Sequence, residues 1–234
     1  EGILQHIEEI WDAMKASVKA GLNAEGILPG GLEVKRKAKS LINSQHIDET
    51  PETRENRMVC AYAFAVGEQN ASGETIVTAP TCGSCGVLPG VLYHLWKSRQ
   101  VSEARILRAL ATAGLFGNIV KTNASISGAE VGCQGEVGVA CAMAAAAASQ
   151  LFGGTPAQIE YAAEMGLEHH LGLTCDPVCG LVQIPCIERN AYAAARAMDA
   201  NSYAMFTDGK HRVSFDKVVE VMKITGHDLP SLYK

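Results

Sequence analysis

The sequence lacks any apolar run near the roughly 18 residues that a membrane-spanning helix needs. Its richest apolar stretch, VGVACAMAAAAASQLF at 137–152, is shorter and is rich in alanine. The sequence also lacks an excess of positive charge, since its formal net charge is −5. Its one basic run, EVKRKAKS at 33–40, is short and fits a solvated surface. These absences predict that the protein neither spans a membrane nor binds nucleic acid.

Cysteine is too sparse for a disulfide scaffold, with eight residues in a chain of 234. No signal peptide is visible, although the first residue, Glu1, leaves a trimmed leader open. We therefore expect a cytosolic protein, and in a reducing cytosol clustered thiols indicate metal binding or catalysis. The composition is globular, with 47% apolar and 19% charged residues.

Strand patterns are nearly absent, and ETIVTAP at 74–80 is the best short candidate. Apolar residues recur instead at helical spacing, so we predict one all-α domain over residues 1–234, with Gly- and Cys-rich active-site loops between its helices. The predicted helices cover 3–21, 56–67 ending at Gly67, 87–98, 102–117, the alanine-rich run up to about Leu151, Pro156 up to a stop at Gly172, 186–205, and a last helix from the cap Ser214 to Gly226.

Three non-helical stretches, 78–86, 123–138 and 172–186, stand out between these helices. They contain six of the eight cysteines and most of the glycine, serine, threonine and asparagine. Loops held by a rigid frame are where binding and catalysis usually occur. We therefore predict that these three loops form the functional site.

The cysteines of these loops allow several interpretations. Cys82 and Cys85 form a CxxC, but neither a βαβ pattern for thioredoxin-like chemistry nor a second CxxC for a zinc ribbon is present, and a packing role is equally open. Cys133 lies among four glycines, which allow the backbone to approach a ligand closely. With the cysteines at 175, 179 and 186 it forms a candidate set of three or four thiolates for an iron–sulfur cluster or zinc. The remaining two cysteines, Cys60 and Cys141, lie in helical runs and are predicted to be core residues.

At this point four segments are recognisable. LPGGLEVKRKA, TAPTCGSCGVLPGVL, SISGAEVGCQGEVG and LEHHLGLTCDPVCGLVQIPCIERNA together resemble the iron–sulfur-dependent bacterial L-serine dehydratases, in their α subunit or α domain. The resemblance covers nearly the whole chain. It implies a [4Fe–4S] cluster held by Cys133, Cys175 and Cys186, with one iron lacking a protein thiolate, and no pyridoxal phosphate. Cys179 departs from the family pattern and stays outside this ligand set.

The activity that the resemblance implies is deamination of L-serine to pyruvate and ammonia. An open iron can bind the substrate's oxygens and take the departing hydroxyl, whereas four cysteine ligands would leave an electron carrier. We expect small polar groups of the loops and one arginine to bind the substrate, namely Thr78, Thr81, Ser84, Asn123, Ser125, Ser127 and Arg189. We expect three acidic residues to hold the ammonium or to orient other groups, namely Glu130, Glu136 and Asp176.

Two histidines are candidates for the general base, because abstraction of a proton near neutral pH suits an imidazole. His169 and His170 precede the 172–186 loop, where a structural role at a helix end would also suffice. The family also has a β subunit or β domain with a Ser- and His-containing motif, which this chain lacks. The resemblance therefore implies that this chain works with a β part, as an oligomer, and that the β part contributes to the active site.

Three alternatives stay open at this stage. A related lyase could act on another β-substituted amino acid such as L-cysteine. An electron-transfer module would bind a fully ligated cluster, with Cys179 as the fourth ligand. A helical scaffold would use its thiols for packing alone.

Overall fold

Helix α7 (Val137–Leu151) lies at the centre of the part of the chain described by the computed structural model, which is residues 2–234. Every residue of α7 except Gln150 is buried. Alanine has the highest helix propensity, and its small side chain allows neighbouring helices to approach closely. Helices α4, α5, α8 and α9 accordingly pack around α7.

The predicted all-α fold is confirmed. Residues 2–234 contain no strand, and the only bridge among them joins Ile27 to Lys35. The candidate strand at 74–80 is a loop. None of the helices in the described part is long and apolar enough to cross a membrane. The helices are α1 (Gly2–Asn23), α2 (Ala38–Asn43), α3 (Pro51–Ala71), α4 (Val87–Arg99), α5 (Glu103–Asn123), α6 (Gly128–Val131), α7 (Val137–Leu151), α8 (Pro156–Glu168), α9 (Cys186–Met205) and α10 (Phe215–Asp228).

Several predicted helix ends are wrong, and each of them is predicted at a glycine. Gly67 does not end α3, because it lies against Ile187 of α9, where a Cβ would come within 3.4 Å. Gly226 lies inside α10, against Val131. Helix α8 ends at Glu168, before the predicted stop at Gly172. Two of these glycines therefore provide close packing between helices and do not cap a helix end.

The basic run at 33–40 is only partly solvated, so that interpretation is wrong for its middle. Arg36 donates hydrogen bonds to Gln69 Oε1 at 2.8 Å and to Ser72 Oγ at 2.6 Å. The carboxylate of Glu68, which is 1% exposed, accepts a hydrogen bond from the Lys37 backbone N–H at 2.5 Å, where α2 begins. This segment therefore fixes the start of α2, a short helix that the sequence pattern does not predict.

Candidate functional site

Glu136 joins the three predicted loops at the N-terminal ends of α4, α7 and α9. Its Oε1 accepts a hydrogen bond from Thr81 Oγ1 at 2.6 Å, which ties it to the loop before α4. Its Oε2 lies 3.6 Å from the Cys175 thiol, which donates to it from the loop before α9. Glu136 itself follows the turn that precedes α7. The structure therefore brings together the three loops that the sequence singles out.

Three cysteines, Cys133, Cys175 and Cys186, are neighbours at this junction, and we call them with Glu136 the cysteine site. Cys133 and Cys175 are close enough to shift each other's pKa, and Cys133 is close enough to Cys186 to act on it electrostatically. Cys133 is 4% exposed and Cys186 is 9% exposed. Each thiol comes from a different local structure, namely a 310 turn, a loop and the first residue of α9.

The three thiols do not ionise equally. Hydrogen bonding from Cys175 lowers the pKa of Cys133, and the positive charge of Arg189 acts in the same direction. The same contact raises the pKa of Cys175. Burial, reinforced by the charge of Cys133, raises the pKa of Cys186 to about 11. Cys133 is therefore the thiol of the site that loses its proton first.

Glycines leave the space that this arrangement needs. A Cβ on Gly128 would lie 2.8 Å from the Cys175 sulfur and would collide with a Glu136 carboxylate oxygen. Gly132 has a φ of 79°, which side-chain-bearing residues rarely adopt, and a Cβ there would lie 2.6 Å from the Leu173 carbonyl oxygen. Both positions therefore require glycine for the loops to approach each other.

Gln134 is a buried residue of the site whose role the sequence does not reveal. It is 0% exposed. Its Nε2 donates to the carbonyl oxygens of Val131 at 2.6 Å and Met222 at 3.2 Å, and its Oε1 accepts from the Gly172 N–H at 3.0 Å. Its own backbone N–H donates to the Leu173 carbonyl at 3.3 Å. Gln134 therefore fixes the Cys133 turn against the loop that carries Cys175.

Asn190 plays the corresponding part for the loop before α4, and its role is another that the sequence does not reveal. Its Oδ1 accepts from the Gly86 N–H at 2.8 Å, and its Nδ2 donates to the carbonyls of Gly83 and Cys186, each at 2.7 Å. The residue is 1% exposed. Its position one turn after Cys186 is the one signal in the sequence, because that spacing places it on the same face of α9.

Of the predicted substrate-binding residues, Thr81 and Arg189 lie at the cysteine site. Arg189 donates from Nη1 to the Thr174 carbonyl at 2.8 Å. Ser84 is fully buried and bonds within its own turn, to Thr81 and to the Ala79 carbonyl. Ser125 accepts a hydrogen bond from the Ser127 N–H at 3.1 Å. The loop of these two serines adjoins the Cys133 turn, because a Cβ on Gly135 would lie 3.0 Å from the Ser125 carbonyl oxygen.

The other predicted residues lie elsewhere. Thr78 lines a groove of about 460 Å³ between α1 and α5. Asn123 is exposed and donates to the Ile119 carbonyl of its own helix at 2.9 Å. His169 and His170 line a cavity of about 300 Å³ that none of the cysteines of the site lines. Burial lowers the pKa of His170, whose Nδ1–H donates to the Gly166 carbonyl at 2.7 Å.

The last candidates are two acidic residues and the cysteines outside the cysteine site. Glu130 accepts a hydrogen bond from Ser125, and Asp176 accepts one from Thr174 at 3.3 Å. Cys179 is exposed, with a φ of 55°. Cys82 is exposed, Cys60 is half-buried, and the two cysteines that are completely enclosed are Cys85 and Cys141.

Within residues 2–234, no group of three or more His, Cys, Asp or Glu side chains is placed so that it could hold a metal ion.

Comparisons with known proteins match the whole chain. The family model described as "Serine dehydratase alpha chain" matches residues 1–234. The L-serine dehydratase of Streptomyces coelicolor is 52% identical over 235 residues, which cover 100% of this chain and 51% of the relative. L-serine dehydratase TdcG of Escherichia coli is 50% identical over 230 residues (96% and 50%), and the L-serine dehydratase of Helicobacter pylori is 43% identical over 236 residues (97% and 51%). This chain thus spans about half the length of these curated relatives. It belongs to the serine dehydratase alpha chain family.

Proposed function

We propose that this chain is the cluster-binding part of an L-serine dehydratase, which converts L-serine to pyruvate and ammonium in the cytosol. One observation carries the proposal: of the three cysteines that the resemblance implies as ligands, which come from separate parts of the sequence, Cys133 acts electrostatically on both Cys175 and Cys186. The printed names of the relatives support L-serine as the substrate.

The donor set fits a [4Fe–4S] cluster with one iron free of protein thiolate. In such a cluster each thiolate binds its own iron, so the sulfurs need not converge on one point. Three thiols line the site, and one of them has a lowered pKa, which favours the thiolate that a metal requires. When bound, the cluster would supply a Lewis acid for the departing hydroxyl.

Two charged residues of the site would orient the substrate. The guanidinium of Arg189 acts electrostatically on Cys133 and Cys186, and its fork of donors suits the carboxylate of an amino acid. The carboxylate of Glu136, held by Thr81, would accept hydrogen bonds from the substrate ammonium. These two opposite charges match the zwitterion of L-serine.

The reaction balances without an external oxidant or reductant. The Cα proton and the β-hydroxyl of L-serine leave together as water, which gives aminoacrylate. Aminoacrylate tautomerises to the imine, and one water then hydrolyses it to pyruvate and ammonium. The histidines at 169 and 170 line a separate cavity, which favours a proton acceptor from a β part outside this chain.

The test is a cysteine series reconstituted with iron and sulfide under anaerobic conditions. We expect the unaltered chain to bind about four irons with visible absorption near about 400 nm. Cys133→Ser, Cys175→Ser and Cys186→Ser should each lose this absorption, whereas the control Cys179→Ser should keep it. Loss of the cluster in Cys179→Ser would favour a fully ligated electron-transfer site instead.

The substrate is tested separately, with the β part present. We expect pyruvate from L-serine, and comparison with L-cysteine decides between the dehydratase and a lyase that releases sulfide. A loaded enzyme that leaves L-serine unchanged would overturn the substrate assignment. Iron-free chains after full anaerobic reconstitution would overturn the cofactor assignment.

A further inference from the structure

A cavity of about 520 Å³ opens between the N-terminal half of α3 and the C-terminal half of α4. Its size falls within the range of small-molecule sites, which is about 300–1,000 Å³. Its walls combine the apolar side chains of Pro51, Met58 and Tyr62 with charged side chains from both helices. None of the residues of the cysteine site lines it, so it is a separate place on the molecule. We call it the α3–α4 cavity.

Tyr62 brings to this cavity a hydroxyl group that lacks a partner in the protein. The residue is 5% exposed, and its ring packs edge-on against that of Tyr93, with the ring centres 4.9 Å apart. Within residues 2–234, the Tyr62 hydroxyl neither donates nor accepts a hydrogen bond. Burial of a hydroxyl costs free energy unless it is hydrogen-bonded. Because Tyr62 lines the cavity, a molecule bound there could supply the missing partner.

The two carboxylates that line the α3–α4 cavity already have partners in the chain. Glu49 accepts two hydrogen bonds from the guanidinium of Arg57, at 2.5 Å and 2.8 Å. Glu55 Oε1 lies 3.0 Å from Nε2 of His94, which is 5% exposed. These contacts occupy the negative charges of the cavity and leave them little capacity to bind a cation.

The two cations that line the cavity, Arg54 and Lys97, have no such partners. In the part of the chain that the structure describes, neither belongs to an ion pair within 4.0 Å. Lys97 Nζ lies 4.1 Å from the centre of the Trp96 ring, a contact that offers it no carboxylate. Because Arg54 belongs to α3 and Lys97 to α4, an anionic group inside the cavity would meet positive charge from both helices.

We propose that the α3–α4 cavity binds a small organic anion, which has an apolar body and one carboxylate or phosphate group. The anionic group binds Arg54 and Lys97, and one of its oxygens accepts a hydrogen bond from the Tyr62 hydroxyl. The apolar body packs against Met58 and Pro51. This ligand differs from L-serine, which has no apolar body, so the site is distinct from that of the proposed substrate.

Isothermal titration calorimetry of the purified chain tests the proposal with three probes that share one ring, namely phenylacetate, phenyl phosphate and the neutral 2-phenylethanol. We expect saturable binding of an anion in the millimolar range, as is typical of such small ligands. The neutral alcohol should bind at least about tenfold more weakly, because it lacks the charge that the two cations attract. The anion that binds more tightly identifies the anionic group as carboxylate or phosphate. Binding of neither anion, or equal binding of the alcohol, would overturn the proposal.

Substitutions in the cavity show whether the anion binds there. Arg54→Met and Lys97→Met each remove one charge and keep an apolar stem, and each should weaken binding of the anion by about tenfold or more. Tyr62→Phe keeps the ring and removes the hydroxyl, so it should weaken binding by about fivefold, as for the loss of one hydrogen bond.

The matched controls are Arg108→Met and Lys121→Met, which remove exposed cations of α5 that do not line the cavity. Both should leave binding of the anion unchanged, and circular dichroism should show equal helix content in all variants. Controls that weaken binding as much as Arg54→Met would reveal a general attraction of anions to the surface and overturn the proposal. Binding that resists both Arg54→Met and Lys97→Met would also overturn it.

Discussion

At the scale of single residues, Gln134 holds the cysteine site together although it is not one of the proposed ligands. Its amide makes three hydrogen bonds, to Val131, Met222 and Gly172, in a place that water does not reach. Gln134→Leu would remove all three of these hydrogen bonds. Because one intramolecular hydrogen bond contributes about 1 kcal/mol, we expect the free energy of unfolding to fall by about 3 kcal/mol. Chemical denaturation measures this change.

The matched control is Gln5→Leu, an exposed glutamine on α1. Its effect should stay within about 0.5 kcal/mol, as for other surface substitutions. Gln134→Leu should also lower the iron bound after reconstitution, because the Cys133 turn loses its link to the Cys175 loop. Equal stability of the two variants would show that the buried amide is not a structural link.

The buried carboxyl group of Glu164 leads to a prediction about how the stability of the fold depends on pH. It is 3% exposed on α8, and burial, followed by the like charges of Glu168 and Glu160, raises its pKa to about 8. The folded carboxyl binds its proton more tightly than the unfolded one, so folding is favoured while the group is protonated. This contribution is complete below about pH 4.5 and is lost as the pH rises through about 8.

Glu164→Gln removes that titration, because the amide stays neutral. We expect the variant to gain stability over the unaltered chain as the pH rises from about 5 to about 9, on the order of 2 kcal/mol. Thermal unfolding at both pH values measures the difference. The exposed control Glu8→Gln should show no such trend, and a Glu164→Gln curve parallel to that of the unaltered chain would contradict the prediction.

The residues of the site differ in how far a sequence reveals them. Cys133, Cys175 and Cys186 stand out in the sequence because thiols are rare, chemically distinctive and concentrated in loops, and their role as cluster ligands, which the resemblance implies, stays a prediction. Gln134 and Asn190 could not, because an amide is common, and its role depends on partners far away in the sequence. The residue type alone favours His169 and His170, near the cysteine loop, as general bases, but in the fold they line another cavity.

At the scale of helices, close approach depends on glycine. Gly21 of α1 faces α3, and a Cβ there would lie 2.6 Å from the Ala65 carbonyl carbon and 2.7 Å from its Cα. Gly114 of α5 has no atom within 4 Å of its ideal Cβ position. We expect Gly21→Ala to destabilise the fold by about 1–3 kcal/mol, because the two backbones must separate.

Gly114→Ala is the matched substitution and should stabilise the fold by about 0.5–1 kcal/mol, since alanine favours a helix. Both values come from denaturant unfolding of the same chain. Opposite signs would show that packing, and not helix propensity, decides the effect at Gly21. A stabilised Gly21→Ala variant would mean that α1 and α3 do not approach so closely.

A glycine can end a helix or pack inside one, and this difference explains which helix ends could be predicted. The ends of α4 and α9 match their patterns to within one residue, because a non-helical segment follows each of them. The ends of α3 and α10 do not, because Gly67 and Gly226 pack against Ile187 and Val131. A sequence shows that a glycine is present, but the neighbour against which it packs lies far away along the chain.

At the scale of the whole molecule, the cysteine site lies where three helices begin. The loops before α4, α7 and α9 meet there, held by Asn190 and Gln134 on either side. Ordered helix starts provide a rigid base for loops, so the thiols are positioned by the fold itself. The chain alone should therefore bind the proposed cluster without a β part.

Turnover is expected to depend on more than this chain, which spans about half the length of its relatives. We expect the reconstituted chain to hold about four irons yet form little pyruvate, because the two candidate bases, His169 and His170, line a cavity apart from the cysteine site. Addition of the β part should raise pyruvate formation at least about 100-fold, as is typical when a general base is supplied. The control is the Cys133→Ser chain, which should stay inactive with the β part. Full activity of the isolated chain would show instead that the base lies within residues 1–234.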